Sequence, residues 1–364
     1  MFQVGDQVAT KWTDRVPATP VEYDNPFDIV QNDVKAILQD GEEVDAITIM
    51  QHYTTPRDMP FDAREAAFVF LTAGSAGTYY FKMQEQPWCS GDVGKYITFT
   101  LTTAPPAGAQ LVMNQSYNAT AVGATISLYA DGSATTPLET VTMSEGQTGT
   151  DLGALTVAGR NESTGVNSIH CALLGYNRWS QSNVRQWLNS KKTSGWYTPQ
   201  SVFDRPPADT YLNQPGYMSG FADDFLAVIK KTRVRTALNT VTDSSIGTYE
   251  DTYDYFFLPS LQEINAQPQL ADVEGGPWPY WKQATGLSGY NGWYDANKNP
   301  AYLIYALNAK TSAQYVRLRS AFRGYAYLAW FVYAAGYISN IYAFNAYRST
   351  PACRITADSE AEAA

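Results

Sequence analysis

The pattern of hydrophobic and polar residues divides the chain into parts, and the first part predicts a helix. Asn25 and Pro26 can cap a helix, and Gly41 can end it. Between them, apolar residues recur at helical spacing: Ile29, Val30, Val34, Ile37 and Leu38. A strand is expected at 44–50. Because so short a helix needs a neighbour to be stable, we expect residues 1–60 to form a helix-containing N-terminal assembly or adaptor segment.

Residues 61–158 show the short alternating runs and turn residues of an all-β module. Candidate strands between turns rich in Gly and Pro cover 67–71, 78–83, 95–102, 109–114, 125–130, 138–143 and 154–157. Short strands at this spacing are typical of a small β-sandwich. Nothing in this module indicates chemistry, so we expect it to space or display other domains.

Residues 159–356 combine helical and strand patterns. Ser182 can cap a helix over 183–190, and an apolar strand is expected at 253–258. The low-complexity residues 357–364 are predicted to be a disordered tail. The expected fold class is therefore multidomain, with a helix-containing assembly segment, an all-β sandwich-like module and a C-terminal α+β domain.

Composition and charge exclude several classes of partner. The chain has a net charge of -10 and is 14% aromatic but only 16% charged. Nucleic acid is not an expected partner, because phosphate binding requires clustered Lys and Arg. Membrane insertion is not expected either, since no run of 18 apolar residues occurs. The N-terminus has no signal-peptide pattern, so we expect the protein to start in a cytoplasm.

The residues that commonly carry catalysis are sparse and scattered. Cys89, Cys171 and Cys353 lie far apart, and no Cys-x-x-Cys or Cys/His metal spacing occurs. His170 and Cys171 are adjacent, so on a strand they would point to opposite faces rather than pair. His52 shows no partner in the sequence. We therefore expect no catalytic residue, no metal and no cofactor, and hence no enzyme.

A tyrosine-rich stretch near the C-terminus is the most informative feature. Six tyrosines occur within 321–350, and no Asp, Glu or Lys occurs between Ser320 and Ala357. Tyr beside Ser, Asn and Gly is the composition of evolved binding surfaces, because Tyr offers large contact area with little entropy to lose. The cores of interfaces are also depleted in Lys, Glu and Asp. The stretch therefore indicates a binding protein.

Three motifs in the C-terminal part resemble a known family. The segment at 177–189 (NRWSQSNVRQWLN) resembles its S-x-[IV]-R-x-W-L-N helix, and 256–264 (FFLPSLQEI) resembles its FLPS-x-x-E segment. Leu318-Arg319-Ser320, then Gly336, then 348–355 (RSTPACRI) is similar to its C-terminal pattern. The family comprises bacterial and phage domains with a C-type-lectin fold related to the formylglycine-generating enzyme. The resemblance covers about 165–356 and implies a C-type-lectin ligand-binding domain over 159–356.

The stretch within these motifs, about 318–355, resembles the variable region of proteins diversified by retroelements. In such proteins, template adenines are mutated, so Asn-type codons become Tyr, Ser, Ala, Ile, Phe, Leu, Asp or Gly. The expected ligand-binding residues are Tyr325, Tyr327, Leu328, Tyr333, Ala335, Tyr337, Asn340, Ile341, Tyr342 and Phe344. The expected framework residues are Trp187, Arg319, Trp330, Gly336 and Arg348. The two tryptophans should be core residues, and the two arginines should bind carbonyls or carboxylates inside the scaffold.

The resemblance implies a function in recognition. The best-known relatives are receptor-binding proteins of phage tails, often trimers, so we expect a homotrimer on a virion that binds a bacterial surface protein or glycan. One alternative is a structural or adhesion protein of the same fold with a fixed face. A second is a formylglycine-generating-type enzyme. A third is that the tyrosines only pack core and loops, since aromatic residues favour ordinary strands.

Overall fold

The protein is mostly β-sheet with a few short helices. The computed structural model describes residues 3–62, 175–200, 206–240, 243, 246–266, 268–271, 273–281, 314–334 and 338–356, with residues 135–136 and strand backbones between 70 and 142. The first strands are β1 (Gln7–Val8), β2 (Lys11–Asp14), β3 (Val21–Asp24), β4 (Phe27–Ile37), β5 (Glu43–Gln51) and β6 (Met59–Pro60).

The predicted β module contains six strands among its described residues. They are β7 (Phe70–Leu71), β8 (Gly77–Met83), β9 (Tyr96–Leu101), β10 (Gln110–Leu111), β11 (Thr125–Tyr129) and β12 (Pro137–Thr142). Four form an antiparallel sheet in the order β12-β11-β8-β9, and β10 pairs with β7. Six of the predicted strands are thus confirmed, and the range 154–157 lies outside the described residues.

The C-terminal part combines short helices and strands. Its helices are α1 (Asn183–Leu188), α2 (Asp209–Leu212) and α3 (Asp223–Val228). The strands before the tyrosine-rich stretch are β13 (Ile229–Lys230), β14 (Thr232–Ala237), β15 (Tyr249–Asp254) and β16 (Phe256–Phe257). The strands after them are β17 (Val316–Ala321), β18 (Leu328–Val332), β19 (Ile338–Tyr342), β20 (Ala346–Tyr347) and β21 (Ala352–Thr356). The predicted tail at 357–364 lies outside the described residues.

The helix predicted near the N-terminus is wrong, because this segment is strand β4. The strand pairs with β5, and its register shifts between Ile29 and Gln31 and again between Gln31 and Val34. Asp33 has a φ of 57°, a left-handed conformation that fits this irregularity. Bulges interrupt the two-residue alternation of a strand. The apolar residues of β4 therefore recur at a spacing that resembles a helix.

The main sheet joins the two ends of the described chain. Its order is β1-β4-β5-β21-β13, and β16 also pairs with β21. Cys353 of β21 lies opposite Ile49 of β5, and both are 0% exposed. The N-terminal strands are thus part of the sheet that contains the last strand. The short helix that led us to expect an assembly or adaptor segment is absent, so that reason for such a segment no longer holds.

Helix α1 forms as its motif predicts. The Ser182 side chain caps it by accepting a hydrogen bond from the backbone N of Arg185. Trp187 is buried, and its indole N–H donates to Pro215 O at 2.9 Å. Beyond the helix, Asn189 Oδ1 accepts from the backbone N of Tyr255 and of Phe256, at 2.8 and 3.1 Å. The motif thereby fixes the helix against the start of the FLPS-x-x-E segment.

The shared sheet predicts that a mutation in β5 destabilises the C-terminal part. We expect Ile49→Ala to lower the free energy of unfolding by about 2–5 kcal/mol, because it leaves a cavity against β21. Hydrogen exchange of the Ala352–Thr356 amides should accelerate with it. Val21→Ala is the control, since Val21 is 40% exposed and its loss should change stability by less than about 0.5 kcal/mol. Unchanged exchange in β21 would contradict the shared sheet.

Candidate functional site

Those predicted ligand-binding residues that the structure describes lie on and beside an antiparallel sheet of β17, β18 and β19. All residues of β17 are buried, so this strand is the base of the site. Leu328 of β18 lies opposite Tyr342 of β19, and Trp330 lies opposite Asn340. Trp330 is 1% exposed and packs inward, with its ring stacked 4.9 Å from that of Phe322. The buried strand and tryptophan therefore support the turns that carry the tyrosines.

The described residues of the predicted face all retain exposure. Tyr342 is 42% exposed, and Tyr325 and Phe344 are each 37% exposed. The half-buried members are Tyr327, Leu328, Tyr333, Asn340 and Ile341. Ala335, Gly336 and Tyr337 lie outside the described residues. Among the expected framework residues, Trp187, Arg319 and Trp330 are each 1% exposed, and Arg348 is half-buried.

Five rings form a continuous surface feature, here named the aromatic row: Phe322, Tyr325, Tyr327, Tyr342 and Phe344. Successive ring centroids are 5.4, 5.7, 5.6 and 5.9 Å apart along the row. These separations are within the range of favourable aromatic pairing. Each ring therefore restricts its neighbours, although three of the rings remain exposed to solvent.

A second group of rings surrounds Tyr315, which is 36% exposed. The Tyr315 ring centroid lies 4.7 Å from that of Tyr333, 5.1 Å from that of Tyr347 and 5.9 Å from that of Phe331. The guanidinium carbon of Arg317 lies 4.7 Å from the centroid of the Tyr347 ring. This cation–π contact places a buried charge next to the second group.

Asn177 holds the turn that carries Tyr325 and Tyr327. Its backbone N donates to Ala326 O at 2.8 Å. Its side-chain Nδ2 lies 3.0, 2.8 and 2.7 Å from the carbonyl oxygens of Phe322, Tyr325 and Leu328. Asn177 is 0% exposed, so no water competes for these contacts. It is the first residue of the 177–189 motif, but no sequence pattern indicates its distant carbonyl partners.

A buried network orients the Asn177 amide. Asn239 Nδ2 donates to Asn177 Oδ1 at 3.1 Å and to Asp243 Oδ2 at 2.8 Å. The hydroxyl of Tyr176 donates to the other oxygen of Asp243. With its Oδ1 accepting, Asn177 must turn its Nδ2 toward the carbonyls of the turn. The network therefore fixes the orientation of the Asn177 side chain, and this side chain holds the turn that carries Tyr325 and Tyr327.

Arg317 holds the second turn, which carries Tyr342 and Phe344. Its guanidinium donates to Ala329 O at 3.1 Å, Tyr342 O at 2.8 Å and Asn345 O at 2.9 Å. Among the described residues, no carboxylate offsets the burial of this guanidinium. Burial therefore lowers the pKa of Arg317 to about 9. Sequence reasoning identified Arg319 in the motif and missed Arg317, two positions earlier.

Backbone contacts join the two turns, and the backbone beneath them leaves no room for a side chain at Gly175. Ala343 N donates to Tyr327 O at 2.8 Å. Gly175, with φ of 73°, lies so close that an added Cβ would stand 2.7 Å from Phe344 N. A side chain there would displace the backbone that carries Phe344, and the positive φ also favours glycine. The two turns and Gly175 thus form one packed base under the aromatic row.

Arg319 and Arg348 bind inside the scaffold, as expected. Arg319 forms a buried ion pair with Glu263 and donates to Leu258 O at 2.7 Å. Glu263 also accepts from Ser260 N at 2.9 Å, and Ser260 Oγ accepts from Glu263 N at 3.1 Å. These reciprocal bonds form a capping box, which explains the S-x-x-E spacing. Arg348 donates to Thr55 O at 2.8 Å, so it anchors the stretch to the N-terminal part.

Two of the residues considered as catalytic candidates, His52 and Cys353, lie in the described part of the chain. His52 does have a partner, contrary to expectation: its Nδ1 lies 2.7 Å from Asp28 Oδ2, and Tyr280 OH donates to the same oxygen at 3.5 Å. Burial raises the pKa of Tyr280 to about 12. Cys353 is fully buried, and burial raises the pKa of its thiol well above the usual value. Such a thiol is unreactive. Cys89, His170 and Cys171 lie outside the described residues.

Comparison with known proteins identifies the family of the C-terminal half. Residues 161–357 match a family model described as a domain of unknown function, DUF6273. The chain belongs to the DUF6273 family. Its DUF6273 region contains the whole aromatic row, together with Asn177, Arg317 and Arg319. No curated protein and no solved structure matches the chain. None of the helices in the described ranges has the length and apolar character needed to cross a membrane.

The exposure of the aromatic row predicts that its tyrosines contribute little to stability. Tyr325→Ala and Tyr342→Ala should each lower the free energy of unfolding by less than about 1 kcal/mol, as at other exposed positions. Trp330→Ala should lower it by about 3–5 kcal/mol, because it empties a buried site. Chemical denaturation of the three variants measures the difference. Losses of equal size would show that the tyrosines are core residues.

The contacts of Asn177 predict a local effect on the first turn. Asn177→Ala should destabilise the protein by about 1–3 kcal/mol, because buried carbonyls lose their donor. The amides of Tyr325 and Leu328, whose hydrogen bonds lie within this turn, should exchange faster. Asn340→Ala is the matched control, since Asn340 is only half-buried on β19. Normal exchange in the turn of Asn177→Ala would mean that Asn177 does not hold it.

Proposed function

We propose that this DUF6273 protein is a binding protein, not an enzyme, and that the aromatic row is its recognition surface. The observation that carries the proposal is a set of exposed, mutually packed rings on turns held by the buried Asn177 and Arg317. A surface ordered before binding loses less entropy when a partner docks. Tyr residues with such packing are also common energetic centres of interfaces.

The chemistry of the aromatic row favours an uncharged, partly apolar partner. The stretch from Ala321 to Thr356 contains no Asp, Glu or Lys. Tyr315, Tyr325, Tyr342 and Phe344 are among the most exposed large apolar side chains of the described residues. Contiguous exposed apolar surface commonly marks an interaction site. We propose a bacterial surface protein or glycan as the partner.

We further propose that the aromatic row is diversified by a retroelement on a C-type-lectin scaffold. The exposed positions carry residues that adenine mutation of Asn-type codons can give, such as Tyr325 and Tyr342. Trp330, which is buried, carries a residue that such mutation does not give. Variation restricted to adenines could therefore change the face and leave its support intact. A trimer on a phage tail, which would raise avidity, is part of this proposal and rests on the family resemblance.

The coding sequence tests diversification. A template repeat beside a reverse-transcriptase gene should differ from this gene only at adenines, at the codons of exposed residues such as Tyr325, Tyr342 and Phe344. The codons of Ala326 and Ala329, which are 0% exposed, should not differ. Sibling genes that vary as often at Trp330 as at Tyr342 would exclude diversification and leave a protein with a fixed adhesive face.

Binding to cells tests the recognition surface itself. The fluorescently labelled full chain should bind some strains in a panel of bacteria, and protease or periodate treatment of the cells distinguishes a protein partner from a glycan. Tyr342→Ser with Phe344→Ser should weaken binding by roughly tenfold or more, as the loss of central interface residues does. Val21→Ser with Ile246→Ser is the matched control, since these residues are 40% and 52% exposed elsewhere. Equal losses in both double variants would exclude the aromatic row.

A further inference from the structure

A charged cleft lies between the end of β4, strand β14 and strand β21, apart from the aromatic row. Its volume is about 230 Å³. Its basic lining residues are Lys35, Arg233, Arg235, Arg319 and Arg354. Its acidic lining residues are Glu263 and Glu274. Such a density of basic side chains is unusual in a chain with a net charge of -10.

Both carboxylates of the cleft already have internal partners. Glu263 is bound by Arg319 and by the backbone N of Ser260. Glu274 accepts from Ser320 Oγ at 2.6 Å and from Ala237 N at 3.1 Å. Burial raises the pKa of Glu274, so the charged form of this carboxyl group is disfavoured. Neither carboxylate is therefore available to neutralise the remaining arginines.

Two of the five basic side chains pair with a carboxylate that does not line the cleft. Lys35 Nζ pairs with Asp45 at 2.5 Å. Arg235 binds both oxygens of Asp251, at 2.7 and 2.8 Å. Arg319 is paired with Glu263, which leaves Arg233 and Arg354 as the other two basic side chains of the cleft.

Arg233 and Arg354 lack a carboxylate of their own in the described part of the chain. The nearest carboxylate oxygen to Arg233 belongs to Asp251, 3.9 Å from its Nε, and that group is already held by Arg235. Arg354 Nη1 donates to Thr232 Oγ1 at 3.1 Å and to Arg233 O at 2.8 Å, and both are neutral acceptors. Its Nε is buried and has no hydrogen-bond partner.

Charges of both signs act on Arg354, with attraction from Glu263 opposed by repulsion from Arg319 and Arg233. Burial lowers the pKa of Arg354 to about 10, and repulsion from Arg319 and Arg233 adds to this effect, against attraction from Glu263. Uncompensated charge in a partly desolvated site is costly. An anion between Arg233 and Arg354 would offset this repulsion, and guanidinium groups match oxyanions well because they donate two parallel hydrogen bonds.

We propose that this cleft binds a small tetrahedral oxyanion, phosphate or sulfate, free or as a monoester, through Arg233 and Arg354. A volume below the roughly 300–1,000 Å³ of pockets for drug-sized ligands suits a ligand of this size. The site is independent of the aromatic row, so it does not depend on the proposed recognition function.

Calorimetry with the full chain tests the site. Sodium phosphate, titrated at constant ionic strength, should bind with saturation and raise the melting temperature above that in the matched chloride buffer. Arg233→Gln should weaken binding by roughly tenfold or more, because it removes a charge-assisted hydrogen bond. This side chain is 36% exposed, so the variant should fold. Arg354→Lys, which keeps the charge but loses the fork, should also weaken binding.

Arg15→Gln is the matched control, since Arg15 is exposed and binds Ser219 O outside the cleft. Sulfate and glycerol 2-phosphate serve as further ligands. Equal affinity for all three supports a site for the oxyanion alone, and tighter binding of the monoester supports a phosphorylated small molecule. Absence of saturable phosphate binding, or equal weakening by Arg15→Gln and Arg233→Gln, would overturn the proposal.

Discussion

Buried polar side chains bind backbone carbonyls beneath the aromatic row, and the shape of that row depends on these hydrogen bonds. Burying a guanidinium group without a carboxylate is unfavourable, as the lowered pKa of Arg317 indicates. The carbonyls of Ala329, Tyr342 and Asn345, with the Tyr347 ring, offset that cost. Lysine could not replace this arginine, because only a planar fork reaches several acceptors at fixed angles.

Because of these contacts, the support of the aromatic row does not depend on which side chains the row carries. Asn177 and Arg317 bind backbone carbonyl oxygens, which every residue type possesses. The identity of the side chain at positions such as 325 and 342 is therefore free to change without removing an acceptor. Side chains that point inward, such as Trp330, do not have this freedom, because packing fixes their volume. A surface built in this way can vary in chemistry while its backbone keeps one shape.

The sequence predicted the elements that depend on local rules and missed those that depend on distant partners. The cap of α1 at Ser182 and the S-x-x-E turn are local, and the structure contains both. The helix expected before Gly41 failed because bulges near Asp33 disturb the alternation of β4. Asn177 and Arg317 were missed as supports because each acts on carbonyls that a sequence pattern does not reveal. His52 was expected to be alone, but its partner Asp28 is brought near only by strand pairing.

The position of β21 links the support of the face to the N-terminal strands. The DUF6273 match begins at residue 161, yet β21 pairs with β5 along one edge and with β13 and β16 along the other. Without β5, one edge of β21 would have unpaired backbone groups beside buried side chains such as Cys353. Arg348 likewise binds Thr55 O from within the stretch that follows the second turn. The first strands of the chain are therefore part of the scaffold that supports the aromatic row, although the family match does not include them.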